Sequence, residues 1–120
     1  MPLISVVDDD PSIRESLRGL LQSLGFTVET FACPQAFLDS VCVASTACLI
    51  LDVRMPGMPG PDLQRELIRR GSDIPTVFIT AHCDEAVRPH VLSEGAVDCL
   101  LKPFTEAALL GAIRKALPAA

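Results

Sequence analysis

The sequence lacks an excess of basic residues. Lys and Arg together number 10 and Asp and Glu number 15 among 120 residues, which gives a formal net charge of −5 at pH 7. Proteins that bind nucleic acid need a basic face for the phosphates. A chain with this charge balance is therefore a poor candidate for binding DNA or RNA by itself.

Long apolar runs are also missing. No stretch of the sequence approaches the roughly 18–20 apolar residues that a membrane-spanning helix needs. The first residues do not place a basic segment before a long apolar one, so the sequence predicts no signal peptide. We expect a chain that does not associate with a membrane.

The cysteines show no paired spacing. They are Cys33, Cys42, Cys48, Cys83 and Cys99. Their number is odd and none of them forms a CxxC motif, so neither a disulfide framework nor a zinc site is predicted. We expect these thiols to act as small hydrophobic groups in the reducing cytoplasm.

What the sequence does contain is enough apolar material for one domain. Hydrophobic residues make up 49% of the chain and charged residues 21%, a balance typical of a globular domain of this length. Short β-branched runs alternate with segments of helical spacing. The predicted strands are 3–7, 26–31, 47–51, 75–80 and 97–101, and the predicted helices are 11–24 after the cap Asp10, 34–41, 61–70, part of 88–94, and a last one capped by Thr105.

This alternation predicts an α/β fold with a single doubly wound, five-stranded parallel sheet and helices on both faces. The strands are continuous apolar runs, as expected when both faces of a sheet are covered. The pattern alone is compatible with both doubly wound strand orders. For five strands we expect the flavodoxin-like order 2-1-3-4-5.

Polar residues collect where the predicted strands end. These residues are Asp8, Asp9 and Asp10 after strand 1, Asp52 after strand 3, Thr80 at the end of strand 4, and Lys102 after strand 5. Ligands of such sheets bind outside the carboxyl ends of the strands, where the strand order reverses. Strands 1 and 3 would be neighbours there, so their carboxylates should converge.

Converging carboxylates predict a divalent cation, because like charges this close repel one another when nothing lies between them. Oxygen ligands of this kind suit Mg²⁺, which keeps open positions for a phosphoryl group. Asp52 can then act as a nucleophile towards phosphorus, with the Lys102 ammonium and the Thr80 hydroxyl stabilising the transferred charge. Each residue taken singly has a simpler explanation, and Asp10 is expected to be only a helix cap.

The whole chain resembles the receiver domain of bacterial two-component response regulators. The matching motifs are Val6-Val7-Asp8-Asp9-Asp10, the segment from Leu51 to Gly60, Ile79-Thr80-Ala81-His82, and Gly95-Ala96-Val97-Asp98 leading to Lys102-Pro103-Phe104. The segment from Asp52 to Gly60 and the surroundings of His82 are most similar to the FixJ-like subgroup.

The resemblance implies specific roles at the strand ends. Asp52 would accept a phosphoryl group from the phosphohistidine of a sensor histidine kinase. Asp9, Asp52 and the backbone carbonyl of Arg54 would hold Mg²⁺, with Asp8 acting through a water molecule. Lys102 would contact the phosphoryl group.

The resemblance also implies a switch. Thr80 would move towards the phosphoryl group and carry the conformational signal to the surface of helix 4 and strand 5. Arg54 and His82, each two residues after a site residue, would tune the lifetime of the phosphate. The peptide bond between Lys102 and Pro103 is expected to be cis.

For the chain as a whole, the resemblance implies a phosphoacceptor signalling domain rather than an enzyme. Residues 1–120 would form one receiver domain, either the N-terminal part of a longer regulator or a stand-alone receiver. We expect a homodimer on phosphorylation, a transcriptional output, and contact with DNA only through a separate output domain. The expected compartment is the cytoplasm.

Two residues depart from the family pattern. Cys99 stands where the family usually has Tyr or Phe, so signal transmission could run through the backbone and helix 4 alone, be weakened, or respond to oxidation; an inert buried thiol is the simplest interpretation. Pro89 lies in the region of helix 4, and because proline is tolerated in a first helical turn but not in an interior, we predict a helix that begins at about Pro89, with 82–88 as loop.

Two alternatives remain open at this point. Asp8-x-Asp10 also resembles the first motif of haloacid-dehalogenase-like phosphatases, with Asp8 as nucleophile and Asp10 as general acid, although Pro11-Ser12 and the missing later paired-Asp motif argue against it. A phosphorylation-independent pseudo-receiver is the other alternative, which Cys99 favours and the intact acidic set with Lys102 disfavours. A flavodoxin is a poor match because its first loop should be rich in Ser and Thr.

Overall fold

In the computed structural model, residues 2–81 and 87–117 are described, and they contain five strands and five α-helices. The strands are β1 Leu3–Val7, β2 Thr27–Phe31, β3 Thr46–Asp52, β4 Thr76–Thr80 and β5 Asp98–Leu101. The helices are α1 Pro11–Ser23, α2 Pro34–Leu38, α3 Gly60–Arg69, α4 Val87–Ser93 and α5 Glu106–Ala116, with a 3₁₀ helix at Val41–Ser45. None of these helices is long and apolar enough to cross a membrane.

The sheet confirms the predicted fold class and strand order. All pairings are parallel and the order is β2-β1-β3-β4-β5. β1 and β3 are neighbours in the middle of this order, and Val7 pairs with Leu51. The residues that follow these two positions therefore meet at the same edge of the sheet.

Helices cover both faces of the sheet, because side chains along each strand alternate between two apolar layers. Ile4, Ile50 and Ile79 pack with α1 and α5 in one layer. Phe78 and Leu51 pack with α2, α3 and α4 in the other. All five of these side chains are fully buried.

Local sequence signals begin two of the helices as predicted. The Asp10 carboxylate accepts a hydrogen bond of 2.8 Å from the Ser12 amide, and Pro11 is the first residue of α1. The Thr105 hydroxyl accepts one of 3.0 Å from the Ala108 amide at the start of α5. Both caps satisfy amides that a helix leaves without partners at its first turn.

Helix α4 differs from the prediction. In the described part of the chain it spans Val87–Ser93, so Val87 and Arg88 are helical and the prediction of a loop at these two residues is wrong. Residues 82–86 of the predicted loop lie outside the described part of the chain.

The second helix is shorter than predicted. α2 ends at Leu38 and a 3₁₀ helix spans Val41–Ser45, where the sequence pattern predicted α-helix to residue 41. Ser40 separates the two, and its hydroxyl accepts a hydrogen bond of 3.2 Å from the Cys42 amide. A serine that caps a new turn competes with continuation of the preceding helix.

Candidate functional site

Three carboxylates meet at the carboxyl edge of β1 and β3. Asp8 and Asp9 follow β1, and Asp52 is the last residue of β3. One oxygen from each of the three lies within 4.8 Å of the others. Asp8 is fully buried, Asp52 is 7% exposed, and Asp9 is exposed to solvent.

Asp8 is held at each of its polar groups. Its amide donates to the Phe31 carbonyl at 3.1 Å, and its own carbonyl accepts a 2.7 Å hydrogen bond from Arg14. The carboxylate accepts from the Asp10 amide at Oδ1, 2.9 Å, and from Lys102 Nζ at Oδ2, 3.1 Å. A buried carboxylate needs such partners, because an unpaired buried charge is very costly.

Asp52 has weaker contacts than Asp8. Its Oδ1 accepts a long hydrogen bond of 3.4 Å from the Arg54 amide and lies 3.9 Å from Lys102 Nζ. Burial raises the pKa of Asp52 to about 6, and the Asp8 charge adds to this rise against the opposing effects of Lys102 and the Arg54 amide. The Asp52 carboxylate is thus a buried base that is ionised at neutral pH.

Lys102 follows β5, but its side chain contacts residues at the ends of strands two and three positions away in the sheet. Its amide donates to the Thr80 carbonyl at 2.7 Å, which extends the pairing of β4 and β5 by one residue. The side chain then reaches past β4 to Asp8 and Asp52, and it is only 15% exposed. The following peptide bond to Pro103 is cis, as predicted.

The remaining predicted site residues fall at the same edge or nearby. Thr80 ends β4, beside Leu101 of β5, and is 8% exposed. Arg54 follows the end of β3 and has an exposed side chain. His82, predicted to tune phosphate lifetime, lies outside the described residues.

Gly60 constrains the site in a way that the sequence analysis did not identify. It begins α3, and its amide donates to the Val53 carbonyl at 2.9 Å. A Cβ atom at this position would overlap the backbone carbonyl oxygen of Asp52 and come within 3.0 Å of Phe78 Cε1. Only glycine allows α3 to start this close to the end of β3, and the Pro-Gly-rich composition of the loop was the only signal for it.

Asp98 forms a second polar cluster, which also was not predicted. Its buried carboxylate accepts from the Cys99 amide at 2.8 Å, from Arg88 of α4 at 3.0 Å and from Lys115 of α5 at 3.3 Å. Burial raises the pKa of Asp98, but these three donors outweigh it and leave that pKa below the ordinary value. One side chain of β5 therefore ties two helices to the edge of the sheet.

Cys99 is buried, as the simplest interpretation predicted. It is 7% exposed and packs in the layer formed by α2, α3 and α4. Burial raises the pKa of its thiol above the ordinary value, with Arg88 acting in the opposite direction. A thiol with little thiolate is a poor nucleophile, so the structure gives the oxidation hypothesis no support.

The donor set at the carboxyl edge suits a hard divalent cation. Among the His, Cys, Asp and Glu side chains that the structure describes, the three that converge there are all aspartates, and oxygen ligands are those that Mg²⁺ prefers. Nitrogen and sulfur ligands, which zinc or copper would favour, are absent from this cluster of Asp8, Asp9 and Asp52 among the described residues. The same carboxylates with Lys102 beside them suit a phosphoacceptor site.

The sequence matches a known family along most of its length. The pattern described as "Response regulator receiver domain" matches residues 4–114. The chain belongs to this family. Receiver domains are signalling domains of two-component systems, in which sensor kinases phosphorylate the response regulator, and they generally bind Mg²⁺ at an acidic site.

Similar proteins carry the same assignment. The chain is 46% identical over 115 residues to the response regulator protein TodT of Pseudomonas putida, covering 96% of the chain and 51% of TodT. It is 40% identical over 114 residues to the transcriptional regulatory protein FixJ of Azorhizobium caulinodans, covering 95% and 54%. This receiver domain therefore spans about half the length of the curated relatives it matches.

Solved structures agree on the fold. The response regulator StyR superposes with a TM-score of 0.90 at 50% sequence identity, covering 97% of this chain and 59% of StyR. The FixJ-N crystal structure superposes with a TM-score of 0.87 at 33% identity, covering 100% of this chain and 98% of FixJ-N. The resemblance predicted from the sequence motifs, including the FixJ-like subgroup, is confirmed.

Proposed function

We propose that this receiver domain accepts a phosphoryl group on Asp52 from the phosphohistidine of a sensor histidine kinase, in a reaction that depends on Mg²⁺. The observation that carries the proposal is the convergence of Asp8, Asp9 and Asp52 at one sheet edge with Lys102 beside two of them. Neither Asp52 nor Lys102 would be placed there by the needs of the apolar core.

Asp52 is the better nucleophile of the two buried carboxylates. Both oxygens of Asp8 are engaged at 3.1 Å or less. Among the described residues, Asp52 has only a long hydrogen bond and a more distant lysine, both at Oδ1. In the transfer, an Asp52 oxygen forms the new bond to phosphorus as the bond from phosphorus to the kinase histidine breaks. The electron pair of that bond leaves with the imidazole, which can take a proton.

Asp9, Asp52 and the Arg54 carbonyl are the groups that would hold Mg²⁺, with Asp8 acting through water. When bound, the cation neutralises charge on the phosphoryl oxygens. Asp9 is suited to this role because it is the exposed member of the cluster. Asp8, which is fully buried and already bonded at both oxygens, is suited to an indirect one.

Lys102 and Thr80 would contact the transferred phosphoryl group. Lys102 lies 3.9 Å from the acceptor carboxylate, so its ammonium can pair with a phosphoryl oxygen after a small movement of the side chain. The Thr80 hydroxyl, at the end of the neighbouring strand, would donate to another. The movement of Thr80 towards the phosphoryl group would be the first step of the switch. Arg54 and His82 would tune the lifetime of the phosphate.

The output surface would be formed by α4 and β5. Leu101, at the end of the edge strand β5, is a large apolar side chain that is 46% exposed, which supports a role in a homodimer formed on phosphorylation. Because Cys99 replaces the usual aromatic residue, the signal would pass through α4 and the backbone of β5. Contact with DNA and a transcriptional output would need a separate domain, and the expected compartment remains the cytoplasm.

The experiment is intact-mass measurement after incubation with Mg²⁺ and acetyl phosphate. We expect the wild-type chain to gain one phosphoryl group and the Asp52→Asn variant to gain none. A gain that persists in Asp52→Asn and disappears in Asp8→Asn would overturn the assignment in favour of a phosphatase-like nucleophile. No gain in the wild type, even in a rapid-quench time course, would overturn it in favour of a pseudo-receiver.

A further inference from the structure

We propose that Arg14 is a positioning residue for the acidic cluster, which orients the peptide between Asp8 and Asp9 so that the Asp9 carboxylate is directed towards the cation. This rests on the proposed function, because it concerns the same metal site. Arg14 belongs to α1 and takes no part in the transfer itself.

Arg14 makes one short contact with the acidic turn. Its guanidinium donates a 2.7 Å hydrogen bond to the backbone carbonyl of Asp8, from the fourth residue of α1. A hydrogen bond from a charged donor is stronger than one between neutral groups. The contact is partly buried, which protects it from competition by water.

The bonded carbonyl controls the direction of Asp9. The Asp8 carbonyl and the Asp9 amide belong to one planar peptide unit, so fixing the carbonyl fixes the orientation from which the Asp9 side chain starts. The Asp10 amide, bonded to Asp8 Oδ1, closes an Asx turn that also restrains this peptide. Arg14 adds the hydrogen bond made directly to the peptide's carbonyl oxygen.

The orientation of Asp9 depends on its backbone, because its side chain has few contacts that would hold it in place. Within residues 2–81 and 87–117, the Asp9 carboxylate has no hydrogen bond or ion pair, and the residue is exposed. A ligand that is ordered only on binding loses conformational entropy at that moment, which weakens the affinity for the metal. A fixed peptide plane reduces this loss.

Arg18 provides a matched control on the same helix. It lies one turn after Arg14 on α1 and also reaches the sheet, donating from Nη2 to the Thr30 hydroxyl of β2 at 2.9 Å. Both side chains are partly buried. Arg18 therefore shares the structural role of joining α1 to the sheet but has no contact with the acidic turn.

The test is a Mg²⁺ titration of the full chain followed by amide NMR shifts, without any phosphodonor. We expect the apparent Kd for Mg²⁺ to rise about 5–20-fold in Arg14→Gln and to change less than about twofold in Arg18→Gln, since tenfold corresponds to about 1.4 kcal/mol. Arg14→Lys, which keeps the charge but not the planar fork, should show an intermediate rise. Thermal unfolding of each variant measures the purely structural effect.

The outcomes separate this role from the phosphoacceptor assignment. If Arg14→Gln and Arg14→Lys both bind Mg²⁺ like the wild type, or if Arg18→Gln weakens binding equally, the positioning role is overturned while phosphorylation of Asp52 can stand. If Arg14→Gln does not fold, Arg14→Lys alone decides. If Mg²⁺ binding shifts as expected but acetyl phosphate does not modify Asp52, the positioning role stands and the proposed function fails.

Discussion

Lys102 Nζ lies 3.1 Å from Asp8 Oδ2, which joins two residues that are 94 positions apart in the sequence. Asp8 is fully buried, and Lys102 is the cation that compensates its charge. The pair therefore stabilises the folded chain as well as serving the site, because a buried carboxylate without a cation is strongly destabilising.

Replacing Lys102 with Met should lower the free energy of unfolding by about 2–4 kcal/mol, as expected when one partner of a buried pair is removed. Urea denaturation at pH 7 in EDTA measures this. Lys115→Met is the control: the Lys115 side chain is 65% exposed, and its partner Asp98 keeps Arg88 and the Cys99 amide as donors, so the change should cost less than about 1 kcal/mol. Equal losses in the two variants would contradict a special role for Lys102 in burying Asp8.

The raised pKa of Asp52, about 6, makes this carboxylate a source of instability at neutral pH. The folded chain binds more protons at Asp52 than the unfolded chain between about pH 4 and 6, so stability from this group is present at low pH and is lost as pH rises through that window. Asp52→Asn should therefore exceed the wild type in free energy of unfolding by about 1–2 kcal/mol at pH 7, after allowance for solvent screening, and by much less at pH 4. Urea denaturation in EDTA at both pH values tests this.

The control for Asp52 is Asp73→Asn, which replaces an exposed acid after α3. Both variants are compared with the wild type in the same buffers at pH 4 and pH 7. A pH-independent difference for Asp52→Asn would show that its carboxylate is not raised by burial.

Gly60→Ala should lower the free energy of unfolding by about 1–3 kcal/mol, because the added methyl group would overlap the Asp52 carbonyl oxygen and force α3 or β3 to move. The same shift should slow phosphorylation by acetyl phosphate. Gly19→Ala lies in α1 with nothing within 4 Å of the added atom, and it should raise stability by about 0.5–1 kcal/mol. Thermal and urea unfolding of the two variants should change in opposite directions; changes in the same direction would contradict the close approach at Gly60.

Asp98→Asn should lower the free energy of unfolding at pH 7 by about 1–3 kcal/mol, since Arg88 and Lys115 would lose a buried partner. Because the pKa of Asp98 is lowered in the folded chain, its carboxylate stabilises the fold at pH values above the ordinary aspartate pKa near 4. This stabilisation is lost as the pH falls through the pKa of Asp98 in the folded chain. Urea denaturation at pH 7 and pH 3 measures the change. Asp62→Asn, an exposed acid paired with exposed Arg65, should cost less than about 0.5 kcal/mol.

Alkylation should distinguish exposed from buried thiols. Cys33 is exposed, whereas Cys48 is fully buried, and burial raises the pKa of Cys48 to about 12. Cys99 is also buried with a raised pKa. Iodoacetamide followed by peptide mass spectrometry should label Cys33 at least about 100-fold faster than Cys48 or Cys99 in the native chain, because the thiolate is the reactive form. Rapid labelling of Cys99 would revive the oxidation hypothesis.

Periodicity was sufficient to predict the fold. Apolar runs such as Leu3–Val7 and Thr76–Thr80 are buried on both faces, so each is distinguishable from an amphipathic helix. Asp10 and Thr105 could be identified as caps because their hydrogen bonds are local. Helix ends were less predictable where two local signals compete, as at Ser40.

The candidate site was predictable in its residue types and location. Asp8, Asp9, Asp52 and Lys102 each stand at the end of a predicted strand, and parallel strands bring their carboxyl ends to one edge. The sequence could not predict which carboxylate is fully bonded and which is more weakly held. That distinction depends on contacts across the sheet, such as Lys102 with Asp8.

Three residues to which the sequence analysis assigned no role show the same limit. Arg14, Gly60 and Asp98 have ordinary local roles in the sequence: a helical arginine, a loop glycine and a charged residue in a strand. Arg14 contacts a carbonyl across a turn, Gly60 approaches the end of β3, and Asp98 receives donors from two helices. These contacts arise only when distant segments pack together.

The sequence by itself determined the fold class, the family and the set of acidic and basic groups at the sheet edge, whereas its pattern was compatible with two strand orders. The fold class and the positions of these groups follow from spacing along the chain, which determines the period of burial and which strand end carries which side chain. The family follows from the resemblance of the motifs at those strand ends. The tertiary structure alone decided the pairing of Lys102 with Asp8, the raised pKa of Asp52 and the bracing of the acidic turn by Arg14. Those properties depend on distance and burial, and in a folded chain both are determined by residues far apart in sequence.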